Sequence, residues 1–241
     1  MPKIAASIVF PVSSPARRNA VVETDEKGTV ISLSDDRPGF REIAGVAYYS
    51  GILIPGLADM MCGRGKSSRW MVSRGLRLAG HIGVPPEMAG KKGDENMKAA
   101  GERTGSGPSE SPLAGVNWKS RYGPEIGYRV FRDMEQFYGD FTAGTTEGVY
   151  HFRDTGGEFP VLATLGRQEL WELIFALQEG PARISLPQLL VMATLNGARA
   201  MNSENIAGTL SPGKQPGINI IEGADMHGMK LLPGSRIRRL Y

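Results

Sequence analysis

The stretch Gly51-Ile52-Leu53-Ile54-Pro55-Gly56-Leu57-Ala58-Asp59-Met60-Met61-Cys62-Gly63 decides how this chain is read. Its first half, Ile52-Leu53-Ile54, is a short aliphatic run of the kind that forms a strand, and Pro55-Gly56 punctuates it. Just upstream, Val46-Ala47-Tyr48-Tyr49 is a second β-branched and aromatic run. Further back, Ile4 to Phe10 is apolar and stops at Pro11. Ala20-Val21-Val22-Glu23 and Thr29-Val30-Ile31-Ser32-Leu33 flank Asp25-Glu26-Lys27-Gly28, where Gly28 can take the positive φ of a hairpin turn. Residues 1 to about 57 therefore predict a small antiparallel sheet or sandwich.

Downstream the character changes. Residues 83–127 hold Pro85-Pro86, Gly90-Lys91-Lys92-Gly93 and a run from Gly101 to Pro108 rich in glycine and polar residues. Neither the helical nor the strand period persists there, so the segment buries too little apolar surface to offset its ordering entropy and is expected to be a disordered loop. Tyr128 to Tyr138 predicts a short helix. Gly148-Val149-Tyr150-His151-Phe152 predicts a strand ending near Asp154. Leu170, Trp171, Ile174, Phe175 and Leu177 share one helical face between Arg167 and Glu179, and Gly180-Pro181 ends that helix. Ser185 is the expected N-cap of the next helix, with Pro187 in its first turn. Gly217 to Ile221 predicts a buried strand, and Ser235 to Arg239 an edge strand.

The composition of the 241 residues narrows the class of protein. Lys and Arg number 28 against 25 acidic residues, a balance too even to imply a nucleic-acid partner. Cys62 is the one cysteine, which rules out a disulfide framework within the chain and suits a reducing, cytoplasmic setting. No apolar run approaches the roughly 20 residues of a membrane helix, so no membrane partner is expected.

Two stretches resemble the amidohydrolase superfamily, in its deaminase and chlorohydrolase branch. Residues 51–63, quoted above, resemble the first barrel strand, where an apolar run and Pro-Gly precede a His-x-His pair. The second stretch runs Met192-Ala193-Thr194-Leu195-Asn196-Gly197-Ala198-Arg199-Ala200, followed by Ala207-Gly208-Thr209-Leu210-Ser211-Pro212-Gly213-Lys214-Gln215-Pro216-Gly217-Ile218-Asn219. It is similar to the superfamily's closing helix and the turn into its last sandwich strands. The resemblance implies an α/β chain: an incomplete TIM-type (β/α) barrel remnant with a small β-sandwich formed by the N- and C-terminal segments. Residues 1–56 and 206–241 would build the sandwich, and 57–205 the partial barrel.

The resemblance also implies a chemistry, hydrolysis of C–N bonds in small molecules by a water bound to zinc or iron(II). The metal lowers the pKa of that water, and a carboxylate at the end of the last barrel strand shuttles its proton. The matching carboxylate is Asp154, 38 residues before Met192. It is the candidate catalytic residue, and with His151 the candidate metal ligand; Asp154 is alternatively a turn residue before Thr155-Gly156-Gly157. The His-x-His positions fall on Met61 and Gly63. A thioether is a poor ligand for these metals and glycine offers no side chain. Cys62, between them, is expected to point to the other side of the strand.

Length points the same way. Between Gly63 and Gly148 lie 84 residues, whereas six β/α units at roughly 30 residues each would need about 180. A complete barrel does not fit, and the expectation is a chain that keeps the scaffold while lacking the activity. Open barrel edges would then favour self-association.

Three further features carry weaker signals. Gly63-Arg64-Gly65-Lys66-Ser67 looks like the end of a phosphate-binding loop, but Met60 stands where the full pattern needs glycine. Arg64, Lys66, Arg69, Arg74 and Arg77 read as a solvated basic helix face or, remotely, an anion-binding one. His81 and His227 read as structural or surface histidines.

Overall fold

A computed structural model describes residues 1–34, 45–62, 68–82, 127–131 and 134–241. The expected disordered segment, the phosphate-loop-like residues 63–67 and the Gly63 position fall outside these, save Gly127, which opens a strand.

Both ends of the chain meet in one sheet. Its strands are β1 (Lys3–Val9), β2 (Arg17–Arg18), β3 (Val21–Thr24), β4 (Val30–Ser34), β5 (Val46–Pro55), β12 (Ile218–Glu222) and β13 (Arg236–Arg239), in the order β13-β12-β5-β1-β3-β4, with β2 also on β1. The β3–β4 hairpin forms where the Asp25–Gly28 turn places it. Gly28 takes φ 78°, and Asp25 Oδ1 accepts the amides of Lys27 and Thr29. The expected buried strand is β12, and among the described residues β13 pairs only with it, at the sheet edge. One pairing departs from the antiparallel expectation: β1 runs parallel to β5. Parallel pairing needs a long connection between the two strands, which residues 10–45 supply.

The two runs upstream of Pro55 are one strand. β5 passes through Gly51 at φ 151°, opposite a register shift in β1 between Ala6 and Ile8. A side chain at 51 would place its Cβ 2.2 Å from the Ile221 carbonyl oxygen, so only glycine lets β5 and β12 approach.

The barrel-like part holds two three-stranded sheets. β6 (Leu57–Asp59), β7 (Leu76–Ile82) and β8 (Gly127–Phe131) are parallel, in the order β6-β7-β8, with α1 (Ser68–Ser73) between the first two. β9 (Phe141–Ala143), β10 (Val149–Asp154) and β11 (Gly157–Leu162) form an antiparallel sheet in the order β11-β10-β9. Two sequence expectations are corrected here. Tyr128 to Tyr138 is the end of strand β8 followed by helix α2 (Met134–Asp140). Arg77 belongs to strand β7, where it is 5% exposed, and its Nε donates to the Gln215 carbonyl at 2.9 Å. In β7 the residues from Leu76 to Gly80 are all buried, so this parallel strand shows no alternation and the periodicity gave no sign of it.

Helix α3 (Leu170–Glu179) starts from Glu169, two residues past the expected Arg167, and ends at Gly180. Ser185 begins α4 (Leu186–Val191); its amide and hydroxyl both reach Gln188 Oε1, at 3.2 and 2.7 Å. A π-helical turn, Met192–Asn196, links α4 to α5 (Gly197–Ala200). Among the described residues no helix is long and apolar enough to cross a membrane.

Polar ties lock the composite sheet to the start of β7. Buried Asn219 of β12 donates through Nδ2 to the Gly75 carbonyl at 2.8 Å, and Arg239 of β13 donates to the Leu76 carbonyl at 3.1 Å. These bonds fix where the barrel-like strands begin relative to the sheet.

Candidate functional site

The two barrel-like sheets meet where β6 and β11 end. The Met60 amide donates to the Leu162 carbonyl at 3.0 Å. Beside this bond sits Asp59, the last residue of β6 and 2% exposed. Its Oδ1 accepts the amides of Met61 and Thr164, each at 3.0 Å, and its Oδ2 lies 2.7 Å from the Thr164 hydroxyl. The same hydroxyl lies 3.0 Å from the Met61 carbonyl oxygen. Burial pushes the Asp59 carboxyl up to about 6, against the hydrogen bonds from Thr164 and Met61 that draw it down.

Around this clasp the interior is apolar. Met60 and Met61 pack with Phe131, Phe137, Phe141, Tyr150 and Phe152 in one cluster. Phe137 stacks on Phe141 at 4.8 Å between ring centres and meets Phe131 edge-on at 5.3 Å. Cys62 packs into a different cluster, with Leu170, Leu173 and Leu189, so it does face away from Met61. Gly197, at the start of α5, lies against Ala58 and Met60 and lets the closing helix approach β6. At the rim, Arg129 of β8 pairs with Asp140 of α2 at 2.5 Å, donates to the Ala200 carbonyl and lies 4.8 Å over the Phe131 ring. Burial shifts both partners toward their neutral forms, while each opposes that shift in the other.

The residues singled out in the sequence lie elsewhere. Asp154 sits at the tip of the β10–β11 hairpin, exposed, with its Oδ1 accepting the Gly156 amide at 2.7 Å. The hairpin register runs from Asp154↔Gly157 to Val149↔Leu162, which separates that tip from the β6–β11 junction by about 17 Å of strand. His151 is half-exposed on β10, with Nδ1 3.5 Å from Glu158 Oε1 across the hairpin. His81 lies in β7, and His227 lies exposed in the loop after β12, where its amide donates to Asp225 Oδ1. The structure brings Met61 to the strand junction and leaves Asp154 and His151 on the hairpin. Among the described residues no three His, Cys, Asp or Glu side chains gather as a metal-binding group.

Asp59 and Thr164 had no role in the sequence reading. A signal was available for the first: an acid inside an otherwise apolar run, Ile52 to Met61, has to be paired or neutral once buried. Thr164 carries no such mark, because its importance comes only from the meeting of two distant strands.

The arrangement of β6, β11 and the closing helices against a sheet shared by both termini can now be compared with known folds. An amidohydrolase from Thermotoga maritima matches with a TM-score of 0.52 at 12% identity, over 100% of this chain and 98% of that one. In fold, the chain resembles an amidohydrolase. Guanine deaminase from E. coli matches with a TM-score of 0.49 at 12% identity, over 100% of this chain and 99% of the other. An adenosine deaminase from Xanthomonas campestris, whose structure contains bound zinc, matches with a TM-score of 0.47 at 12% identity, over 91% and 84% of the two chains. No family model matches the sequence, and no curated protein matches it.

The amidohydrolase-like fold is mixed α/β with open sheets. Among the described residues β8 and β9 are edges that do not pair with each other, and no closed barrel forms. Zinc or iron(II) does not fit the residues at the end of β6. Where the sequence resemblance expects a His-x-His pair, the first residue is a thioether 2% exposed inside an aromatic cluster, and the second is a glycine.

Proposed function

We propose that this chain is an amidohydrolase-like protein that does not carry out metal-dependent hydrolysis and serves instead as a scaffold or interaction protein. The observation that carries this reading is Met61. It occupies the place of a metal-binding imidazole and contributes its side chain to the apolar cluster around Phe137. A site that keeps a metal-bound water needs an open coordination position and polar ligands converging on it. Here the strand end is packed with methionines and phenylalanines, and its one carboxylate, Asp59, is fully engaged by Thr164 and Met61.

The experiment is elemental analysis of the purified protein, with ammonia release measured on amino-substituted heterocycles. The expected result is zinc and iron far below one equivalent, with no ammonia above background. Near-stoichiometric metal that is lost in Asp154→Ala would overturn the reading. It would instead make the chain a C–N hydrolase with Asp154 and His151 at its centre.

A further inference from the structure

The Thr164 hydroxyl stands between two oxygens, Asp59 Oδ2 at 2.7 Å and the Met61 carbonyl at 3.0 Å. A hydroxyl carries one proton and accepts through two lone pairs. If Asp59 is ionised, that proton goes to Oδ2, and the Met61 carbonyl faces a bare oxygen. If Asp59 is protonated, Oδ2 donates to Oγ1, and Oγ1 in turn donates to the Met61 carbonyl. Oγ1 then also receives the Gly166 amide at 3.4 Å, so its full capacity is used. Oδ1 keeps the amides of Met61 and Thr164 in both states.

We propose that in mildly acidic solution Asp59 is a neutral acid that donates a hydrogen bond to Thr164, and that this relay is a pH-sensitive clasp between the first and last strands of the barrel-like part. The groups acting on Asp59 are the neutral ones just named. Among the described residues, the charges on the surrounding elements are directed elsewhere. Arg77 of β7 reaches the Gln215 carbonyl, Arg199 of α5 is exposed, and Arg167 after β11 pairs with Glu147. The Cys62 thiol packs into the other cluster. Among the described residues no cation pairs with the carboxylate, and burial raises its pKa from 3.8 to about 6. Between those values the folded chain keeps a proton that the unfolded chain has released. Stability from the clasp is therefore complete below 3.8, declines as pH rises through the window, and is gone above about 6.

The test is Asp59→Asn, in which the amide reproduces the neutral acid. Its oxygen accepts the same two amides, and its NH2 donates to Thr164. Relative to the natural chain, the folding equilibrium of Asp59→Asn should gain about 100-fold between pH 4 and pH 7.5, read by chemical denaturation. An Asn variant no better at pH 7.5 than at pH 4 would overturn the proposal. A second readout does not depend on comparing stabilities. Infrared difference spectra of the natural chain minus Asp59→Asn at pH 5 should contain the C=O stretch of a buried carboxylic acid, which disappears by pH 7.5. Only a carboxylate band at pH 5 would show Asp59 to be an ionised acceptor and end the argument.

Discussion

The composite sheet and the barrel-like part are both built from short apolar strands, yet they hold together in different ways. In the sheet, β5 pairs with β1 from Val46 to Leu53 and with β12 from Ile52 to Pro55, and residues such as Ile4, Leu53 and Ile220 share one core. Its cohesion comes from continuous pairing. In the barrel-like part, two separate sheets touch through the Met60–Leu162 bond and the Asp59–Thr164 clasp, and a knot of aromatic rings fills the space between them. The difference concerns what each part needed in order to persist. A paired sheet needs only strand pattern and burial, which survive extensive change of side chains. The barrel-like part needs particular side chains in particular places, because one clasp and one aromatic knot carry the contact between its sheets.

The largest effect should come from breaking the sheet at its tightest approach. Gly51→Ala drives a Cβ against the Ile221 carbonyl at a φ of 151°. A loss of more than about 4 kcal/mol is expected, read as a chain that is insoluble or unfolded by circular dichroism. Folding with a loss under about 1 kcal/mol would mean that β5 and β12 are not held as closely as described.

Next comes the aromatic knot. Phe137→Ala removes a fully buried ring that contacts Phe131, Phe141 and Tyr150, and it should cost about 3–5 kcal/mol by urea denaturation. Hydrogen exchange sharpens the comparison. If the two parts have separate sources of cohesion, amides of β1, β5 and β12 should stay protected in this variant while those of β8 to β10 exchange faster. Equal loss of protection throughout would show a single cooperative unit.

The same contrast explains what could be read from the sequence. The β3–β4 hairpin, β12, β13, α3 and the Ser185 cap were legible because each is specified locally, by a turn glycine, an apolar period or a capping side chain. The capping prediction is modest in size: Ser185→Ala should lower stability by about 1 kcal/mol with no change in the cores. Strand β7 was illegible because it is buried from Leu76 to Gly80 without alternation, and Arg77 disguised it as a charged helix face. The parallel β1–β5 pairing could not be read either, since strand pattern does not record direction. The clasp was hidden for a further reason. Asp59 and Thr164 are 105 residues apart, and neither residue on its own reveals the partner that makes it matter.

The smallest expected effect belongs to Asp154, the carboxylate to which the sequence resemblance gave the largest role. Its side chain is exposed at a hairpin tip and accepts the amide of Gly156, two residues on. An acid that ties its own turn in this way contributes locally, so Asp154→Ala should cost about 0.5 kcal/mol, in line with exposed turn positions. The hairpin itself should survive, because β10 and β11 pair over six positions and the Phe152–Phe159 contact lies across them. If the scaffold reading is right, metal content and ammonia release should match those of the unaltered chain. The value of so small a predicted effect is its contrast with Asp59→Asn. One acid lies on a turn and should hardly matter. The other lies at a strand junction, and its neutral mimic should gain stability as pH rises. Should the two responses be reversed, the assignment of the strand junction as the centre of the barrel-like part would be wrong.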